Sequence, residues 1–124
     1  MSVDQLKKIL IGLTNAINSK PDARKMVDEW IAIQYGKVIG WKVRYENQEH
    51  NFHMVFTKKD GVKFIIGEYP ACDMMFIGDL DTILGIMTGK KKTTTELKSK
   101  NLKVYGSLHE GLNLGKIMRV AFIK

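Results

Sequence analysis

Apolar residues recur at helical spacing along the first part of the chain. One stripe advances by three or four residues at most steps and consists of Leu6, Ile9, Leu10, Leu13 and Ile17. Such spacing is typical of an amphipathic helix, and Ser2 with Gln5 in front of it has the spacing of a capping box. A second helix is predicted from about residue 19, with Ser19 as its cap and Pro21 in its first turn, up to Gly36.

The spacing then changes to alternation, which is typical of strands with one buried face. Apolar side chains alternate through Ile39, Trp41, Val43 and Tyr45, then through Phe52, Met54 and Phe56. A turn over residues 46–50 and the Asp60-Gly61 pair predict two consecutive hairpins. A third strand is therefore expected over residues 62–69, and a shorter apolar run over residues 72–77 predicts a fourth.

The second half of the chain returns to helical spacing. Asp79 is a suitable cap for a helix that ends near Gly89. A short helix capped near Thr93, a strand over residues 102–106 and an apolar helix over residues 108–122 follow. The sequence contains no internal repeat and no low-complexity linker. We therefore predict a single α+β domain for all 124 residues, with a mostly antiparallel sheet covered by helices.

Composition and charge narrow the class of protein. Apolar residues make up 44% and charged residues 27% of the chain, as in globular rather than disordered proteins. The single cysteine, Cys72, excludes an intramolecular disulfide and a cysteine-rich zinc site. The N-terminal sequence has no signal-like apolar stretch, so a cytoplasmic location is expected. A net charge of +7 leaves nucleic acid, anionic lipid and acidic ligands as partners to weigh.

Candidate catalytic and metal-binding residues form no familiar pattern. His50, His53 and His109 lack the spacing of a metal motif, so neither a metal nor another cofactor is expected. Cys72 beside Asp73 would act as a nucleophile only if a histidine met it in space. The glycines match no nucleotide-binding motif, and the aromatic residues fall on the apolar strand faces rather than on a stacking surface. Neither catalysis nor nucleic-acid binding is the expected activity.

Seven methionines supply flexible, polarizable apolar side chains. Most apolar stripes simply pack against one another, so core filling is the favoured interpretation of these residues. The functional alternative is that they line a cavity for an apolar ligand.

Four segments of the second half occur in a characteristic order. They are residues 73–79, which read Asp-Met-Met-Phe-Ile-Gly-Asp, the helix closed by Gly89-Lys90, the strand Leu-Lys-Val-Tyr-Gly at 102–106, and the apolar segment 112–118. In this order they resemble the sterol carrier protein type 2 family, and the resemblance spans nearly the whole chain. It implies a five-stranded sheet covered by helices, and a non-enzymatic carrier that holds a fatty acid, fatty acyl-CoA, sterol or phospholipid in an apolar tunnel.

The chain departs from the family pattern at two places. Many members have a proline shortly after the Gly-Lys pair and a glycine just before the Leu-Lys-Val strand, whereas this chain reads Lys-Thr-Thr at 92–94 and Ser-Lys-Asn at 99–101. Asn101 is expected to supply the left-handed conformation that glycine would otherwise give.

The resemblance places the tunnel between the apolar face of the sheet and the helices near residues 80–88 and 112–122. The wall residues that it implies are Trp41, Phe52, Met54, Phe64, Met74, Phe76, Ile83, Met87, Leu112, Met118 and Phe122. Because strand alternation is easily misjudged by one residue, Met75 could take the place of Met74.

The positive charge of the chain has a function if the protein carries a lipid. Lys90, Lys91 and Lys92 are otherwise interpreted as a solvated run after a helix. In a lipid carrier they are candidates for contact with an anionic membrane. An exposed tunnel mouth could also be the interface of a homodimer.

Two alternative functions stay open. One is a basic interaction module without a cavity, which binds nucleic acid or a protein partner. The weaker one is a small enzyme for lipidic or acyl-CoA substrates built around Cys72, Asp73 or His53.

Overall fold

The computed structural model describes residues 2–58 and 60–122, the last of these by its backbone only. The helices are α1 (Val3–Ser19), α2 (Pro21–Ile31), α3 (Leu80–Met87), α4 (Thr93–Lys98) and α5 (Leu108–Phe122). The strands are β1 (Gly36–Tyr45), β2 (Gln48–Thr57), β3 (Gly61–Ile66), β4 (Met74–Asp79) and β5 (Leu102–Gly106). Among the described residues, no helix has the length and apolar character that crossing a membrane requires.

The five strands form one sheet in the order β3-β2-β1-β4-β5. Strands β1 and β4 run parallel, and every other neighbouring pair is antiparallel. Trp41 lies opposite Phe52 on one side and Phe76 on the other, so large apolar side chains form a row across the centre of the sheet. The predicted α+β fold with a five-stranded, mostly antiparallel sheet is confirmed.

Helices cover the apolar face of this sheet. Helix α1 begins at the predicted cap, where the Ser2 hydroxyl accepts a hydrogen bond of 3.1 Å from the Gln5 N–H. Its apolar stripe is fully buried at Leu6, Leu10, Leu13 and Ile17. Helix α1 packs against β3 and α2 against β2, whereas α3 and α5 both contact β4. Apolar periodicity thus gives each of these four helices a buried face, as the sequence predicts.

The boundaries of α2 differ from the prediction. Ser19 is the last residue of α1 and its hydroxyl donates to the Ala16 carbonyl, so Lys20 takes the cap position instead. The helix ends at Ile31 rather than near Gly36. Gly36 is required elsewhere, because it starts β1 at a place where a Cβ atom would lie 2.8 Å from a β2 carbonyl oxygen.

Two turns also differ from the prediction. The connection expected over residues 46–50 has only two residues, Glu46 and Asn47, with φ angles of 53° and 61°. Both are left-handed, which matches the twist of a tight hairpin. Before β5 the left-handed residue is Lys100, with φ of 64°, and not Asn101. The chain therefore makes these turns without glycine.

Strand β3 is shorter than predicted, since it ends at Ile66, and β4 begins at Met74 and lies two residues later than the predicted run 72–77. Residues 67–73 leave the sheet and cross the face that lies opposite the helices. There the ring of Tyr69 packs on that of His53, with 5.5 Å between the centroids. This connection carries the chain from the β3 edge over to β4.

Candidate functional site

An apolar groove separates α5 from α3 and α4, above the beginning of β4. Its volume is about 680 Å³, within the range of roughly 300–1,000 Å³ that is typical of small-molecule sites. The apolar lining consists of Met74, Phe76, Ile86, Met87, Leu97, Leu108, Leu112, Leu114 and Met118. The other lining residues are Thr88, Gly89, Thr93, Thr94, Gly111, Gly115 and Arg119. The groove is therefore suited to an apolar ligand with few polar groups.

The floor of the groove is formed by Met74 and Phe76 of β4. Helix α5 crosses this floor at Gly111, where a Cβ atom would lie 2.7 Å from both the Sδ and the Cε of Met74. The Phe76 ring stacks on Trp41 with 5.8 Å between the centroids, which joins the floor to the protein core. Met74 faces the groove, whereas its neighbour Met75 lies near Gly40 on the opposite face of the sheet.

Helix α5 leaves open space one turn beyond this crossing. No heavy atom outside the local helix lies within 4 Å of the position that a Cβ atom of Gly115 would occupy. Leu108 and Leu112 stand on the same helix with exposed fractions of 47% and 61%. Because large apolar side chains are rarely left exposed together without a role, this part of α5 has the character of a binding surface rather than of a finished core.

The wall opposite α5 depends on Lys91. Its backbone N–H donates to the Gly85 carbonyl at 2.9 Å, and its aliphatic stem packs where Gly85 has no side chain. Its ammonium group lies 2.7 Å from an Asp81 oxygen and 3.7 Å from a Glu96 oxygen. The hydrogen bond to Asp81 raises the pKa of Lys91 above its usual value. Lys91 therefore connects α4 with α3 through ion pairs. The neighbouring Lys90 and Lys92 are exposed.

The beginning of α5 is held by a buried ion pair between Glu110 and Lys37. The side chains are only 12% and 9% exposed, and the Lys37 ammonium lies 5.6 Å from the centre of the Trp30 ring. This pair connects α5 with the first residues of β1 and with α2. Helix α5 is thus fixed near its N-terminus by charge, while its next two turns border the groove.

The structure divides the residues that the sequence analysis placed in the tunnel wall. Five line the groove, namely Met74, Phe76, Met87, Leu112 and Met118, and of these Met74 has no exposed surface and forms the buried base of the floor. Four are packed in the core beside it with at most 2% exposure, namely Trp41, Phe52, Met54 and Ile83. Phe64 is partly buried and stacks on the Phe52 ring at 5.8 Å. The side chain of Phe122 lies outside the described residues.

The sequence analysis missed several groove residues, among them Ile86, Leu97, Leu108 and Arg119. A signal was present for two of them, because positions 108, 112, 115 and 119 follow one another at three- and four-residue steps along one stripe of a helix. Once Leu112 is assigned to the groove, Leu108 and Arg119 follow from that stripe. Leu97 lies on the short α4, whose sequence has no comparable apolar pattern.

The residues considered for catalysis have structural contacts on the far side of the sheet. The Cys72 thiol donates to the Tyr69 carbonyl at 2.9 Å, an Asp73 oxygen accepts a β1 N–H at 2.8 Å, and His53 Nδ1 lies 2.9 Å from a backbone carbonyl oxygen. Burial and the nearby Asp73 carboxylate raise the pKa of the Cys72 thiol, which is opposite to what a thiolate nucleophile needs. Within residues 2–58 and 60–122, no group of three His, Cys, Asp or Glu side chains could hold a metal ion.

Comparison with known proteins assigns the chain to a family. A model of the SCP-2 sterol transfer family matches residues 13–119, which is most of the sequence. The chain belongs to this family. Membership supports a general role in lipid binding or transfer. No curated protein sequence is significantly similar to this chain.

Solved structures of sterol carrier proteins share the fold. Apo sterol carrier protein 2 from Yarrowia lipolytica has a TM-score of 0.67 and 17% identity, with 94% of this chain and 91% of that chain covered. Sterol carrier protein domain 2 of Helicoverpa armigera has a TM-score of 0.63 and 18% identity, with 93% and 85% covered. Palmitated SCP2L2 from Aedes aegypti has a TM-score of 0.60 and 15% identity, with 99% and 96% covered. At these identities the likeness establishes the fold.

Proposed function

We propose that this protein is a non-enzymatic lipid carrier whose ligand occupies the groove between α5 and the α3–α4 wall. The observation that carries the proposal is the groove itself, an apolar cleft of about 680 Å³ that opens at Gly115. The alternative of an interaction module with a solid core is disfavoured by the same cleft. Family membership supports the proposal independently.

The ligand classes that fit are a fatty acid, a fatty acyl-CoA, a sterol or a phospholipid. Their apolar part would contact the side chains shared by the sequence analysis and the groove, which are Met74, Phe76, Met87, Leu112 and Met118. Three of these are methionines, whose flexible thioethers adapt to ligands of different shape. The SCP2L2 protein from Aedes aegypti, which has the same fold, was solved in a palmitated form, and this supports a fatty acid as one of the ligands.

Apolar burial can account for binding by such a groove. Each buried methylene contributes about 0.8 kcal/mol, so ten methylenes contribute about 8 kcal/mol before costs. Immobilising the ligand and the flexible lining side chains consumes part of this free energy. Since about 8 kcal/mol corresponds to a Kd of about 1 μM, ten buried methylenes give a Kd above that value once these costs are included, and tighter binding needs a longer buried chain or a polar contact.

Contact with an anionic membrane would allow the carrier to load and release its ligand. Of the three lysines named in the sequence analysis, Lys90 and Lys92 are exposed, whereas Lys91 is engaged between α3 and α4. We therefore assign the membrane contact to Lys90 and Lys92. A homodimer and a cytoplasmic location stay predictions from the sequence.

Two helical glycines provide a matched test of the groove. Gly115 borders the groove and Gly12 lies on the exposed side of α1, and neither has a heavy atom within 4 Å of the place where its Cβ would lie. Both positions can accept leucine, and both substitutions raise helix propensity. Gly115→Leu is expected to reduce binding of a fluorescent fatty acid at least about tenfold, since its side chain takes up ligand space. Gly12→Leu should bind like the unmodified protein.

Two results would contradict the proposal. Equal binding by the Gly115→Leu and Gly12→Leu variants would mean that the ligand does not use this groove. An unmodified protein that carries no lipid in native mass spectrometry, and takes up neither a fluorescent fatty acid nor a fluorescent sterol, would mean that the protein is no lipid carrier.

A further inference from the structure

The groove changes in chemical character along α5. Near the start of the helix its lining is formed by Leu108, Gly111 and Leu112, and at its other end by Met118 and Arg119. Positions 108 and 119 are 11 residues apart in sequence, which corresponds to about 16 Å along the helix axis. Arg119 is the only charged residue among the described groove residues. A ligand that lies along α5 would therefore meet apolar side chains at one end and a single positive charge at the other.

The guanidinium group of Arg119 has no partner within the described part of the chain. It forms no ion pair with a carboxylate there and donates no side-chain hydrogen bond there. The helix positions three and four residues before it are Lys116 and Gly115, so no acidic residue on the preceding turn can neutralise it. An arginine presents a planar fork that pairs with a carboxylate or phosphate through two parallel hydrogen bonds.

The other polar side chains of the groove are weaker candidates for holding an anion. Thr88 already donates its hydroxyl hydrogen bond to the Leu84 carbonyl at 2.7 Å. Thr93 and Thr94 carry no charge and lie at the beginning of α4. Charge-assisted hydrogen bonds are about twice as strong as neutral ones, so the exposed Arg119 is the strongest candidate among the groove residues for pairing with a negative group.

We propose that the groove takes a single-chain amphiphile with an anionic head, bound with the head at Arg119 and the chain directed towards Leu108. The proposal rests on the lipid-carrier function and narrows it to one class of ligand. Carboxylate and phosphate heads share the chemistry that Arg119 recognises. Uncharged lipids of the same chain length would bind through apolar contacts alone and without a fixed direction.

The test compares three probes that share a C16 chain, namely palmitate, hexadecyl phosphate and hexadecanol. Each is titrated by displacement of a fluorescent fatty alcohol from the unmodified protein and from Arg119→Gln. The control is Arg44→Gln, which removes the same charge from an exposed residue on the opposite face of the sheet, where Arg44 lies between Glu49 and Asp79 on the adjacent strands. A third variant, Arg119→Lys, keeps the charge and loses the planar fork.

We expect Arg119→Gln to weaken the binding of palmitate or hexadecyl phosphate about fivefold to tenfold, and the binding of hexadecanol less than about twofold. The affinity of Arg119→Lys for the charged probes should lie between those of Arg119→Gln and the unmodified protein. Arg44→Gln should bind all three probes like the unmodified protein. The probe with the larger loss identifies whether the preferred head is a carboxylate or a phosphate.

Equal losses for hexadecanol and for both charged probes would overturn the proposal, because Arg119 would then act only through packing. Unchanged binding of the charged probes by Arg119→Gln would overturn it as well. In either case, tight binding of hexadecanol by the unmodified protein would leave the carrier function standing. Failure of the unmodified protein to bind any of the three probes would contradict the carrier function itself.

Discussion

The two halves of the sheet are covered in different ways. Under α1 the side chains of Leu6, Leu10, Leu13 and Ile17 are completely buried, and the exposed Ile11 lies on the outer side of the helix. On α5, which passes over β4, Leu108 and Leu112 remain 47% and 61% exposed beside a groove. Both helices carry a stripe of apolar residues, so such a stripe does not by itself determine whether a helix closes a core or borders a site.

The difference lies in the small and flexible residues of the α5 half. Helix α1 fills its interface with leucine and isoleucine side chains that reach the sheet. Helix α5 has Gly111 where it touches Met74, and Gly115 where the groove opens. Dense interiors normally leave few voids, so the open space beside Gly115 is where we propose that a ligand takes the place of packing.

The largest expected difference between α1 and α5 is in the stability lost when one leucine of each helix is truncated to alanine. Leu10→Ala removes a fully buried side chain of α1 and should lower the free energy of unfolding by about 2–5 kcal/mol. Leu112→Ala removes an exposed side chain and should lower it by less than about 1 kcal/mol. Urea unfolding of both variants measures the difference. Losses of similar size would mean that α5 packs as tightly as α1.

Breaking the ion pair between Lys37 and Glu110 should cause the second largest loss in the free energy of unfolding. Both side chains are nearly buried, so Glu110→Gln would leave a buried ammonium unpaired and cost about 3 kcal/mol. Replacing both partners, with Lys37→Met and Glu110→Leu, should recover most of this loss because no buried charge remains. Urea unfolding again provides the measurement. A double variant as unstable as the single one would show that the charges themselves are needed to hold α5.

Membrane association should depend on Lys90 and Lys92, the exposed lysines that follow α3 beside the groove. Changing Lys90 and Lys92 together to glutamine should weaken binding to vesicles containing anionic lipid by about 2 kcal/mol, at roughly 1 kcal/mol for each lysine. Lys25 and Lys63 are exposed on α2 and β3, and the same change there is the control with equal net charge. Vesicle sedimentation at low salt measures both. Equal losses in the two double variants would indicate attraction by net charge only.

The smallest expected effect is on the reactivity of Cys72, which lies on the face of the sheet opposite the helices. Burial raises the pKa of the Cys72 thiol in the folded protein, so at a given alkaline pH less thiolate is present than in the unfolded chain. Because Cys72 is also only 8% exposed, alkylation of the native protein at pH 8 should be at least about tenfold slower than in urea, and its rate should rise only at higher pH than in the unfolded chain. Rapid alkylation of the native protein would show that residues 67–73 leave this face open.

The sequence could predict the elements and the faces of the fold but not the extent of its packing. Alternation predicts Met54 as inward-facing, the family resemblance favours Met74 over its neighbour Met75, and both Met54 and Met74 are fully buried. Alternation contains no information on which helix lies above each of them: both belong to the buried core cluster, but Met74 also forms the floor of the groove. That distinction depends on long-range contacts, such as the approach of Gly111 to Met74. The family resemblance implied a tunnel, and the packing of the helices opens a groove beside α5.

Photochemical crosslinking tests the central claim most directly, because it reports which residues lie beside a bound acyl chain. A palmitate analogue with a diazirine in its chain is bound, irradiated and located by mass spectrometry of the digested protein. The groove predicts crosslinks in residues 86–97 and 108–118, and their loss in Gly115→Leu but not in Gly12→Leu. Crosslinks confined to α1 and α2, or to the opposite face of the sheet around Lys42 and Lys103, would contradict it.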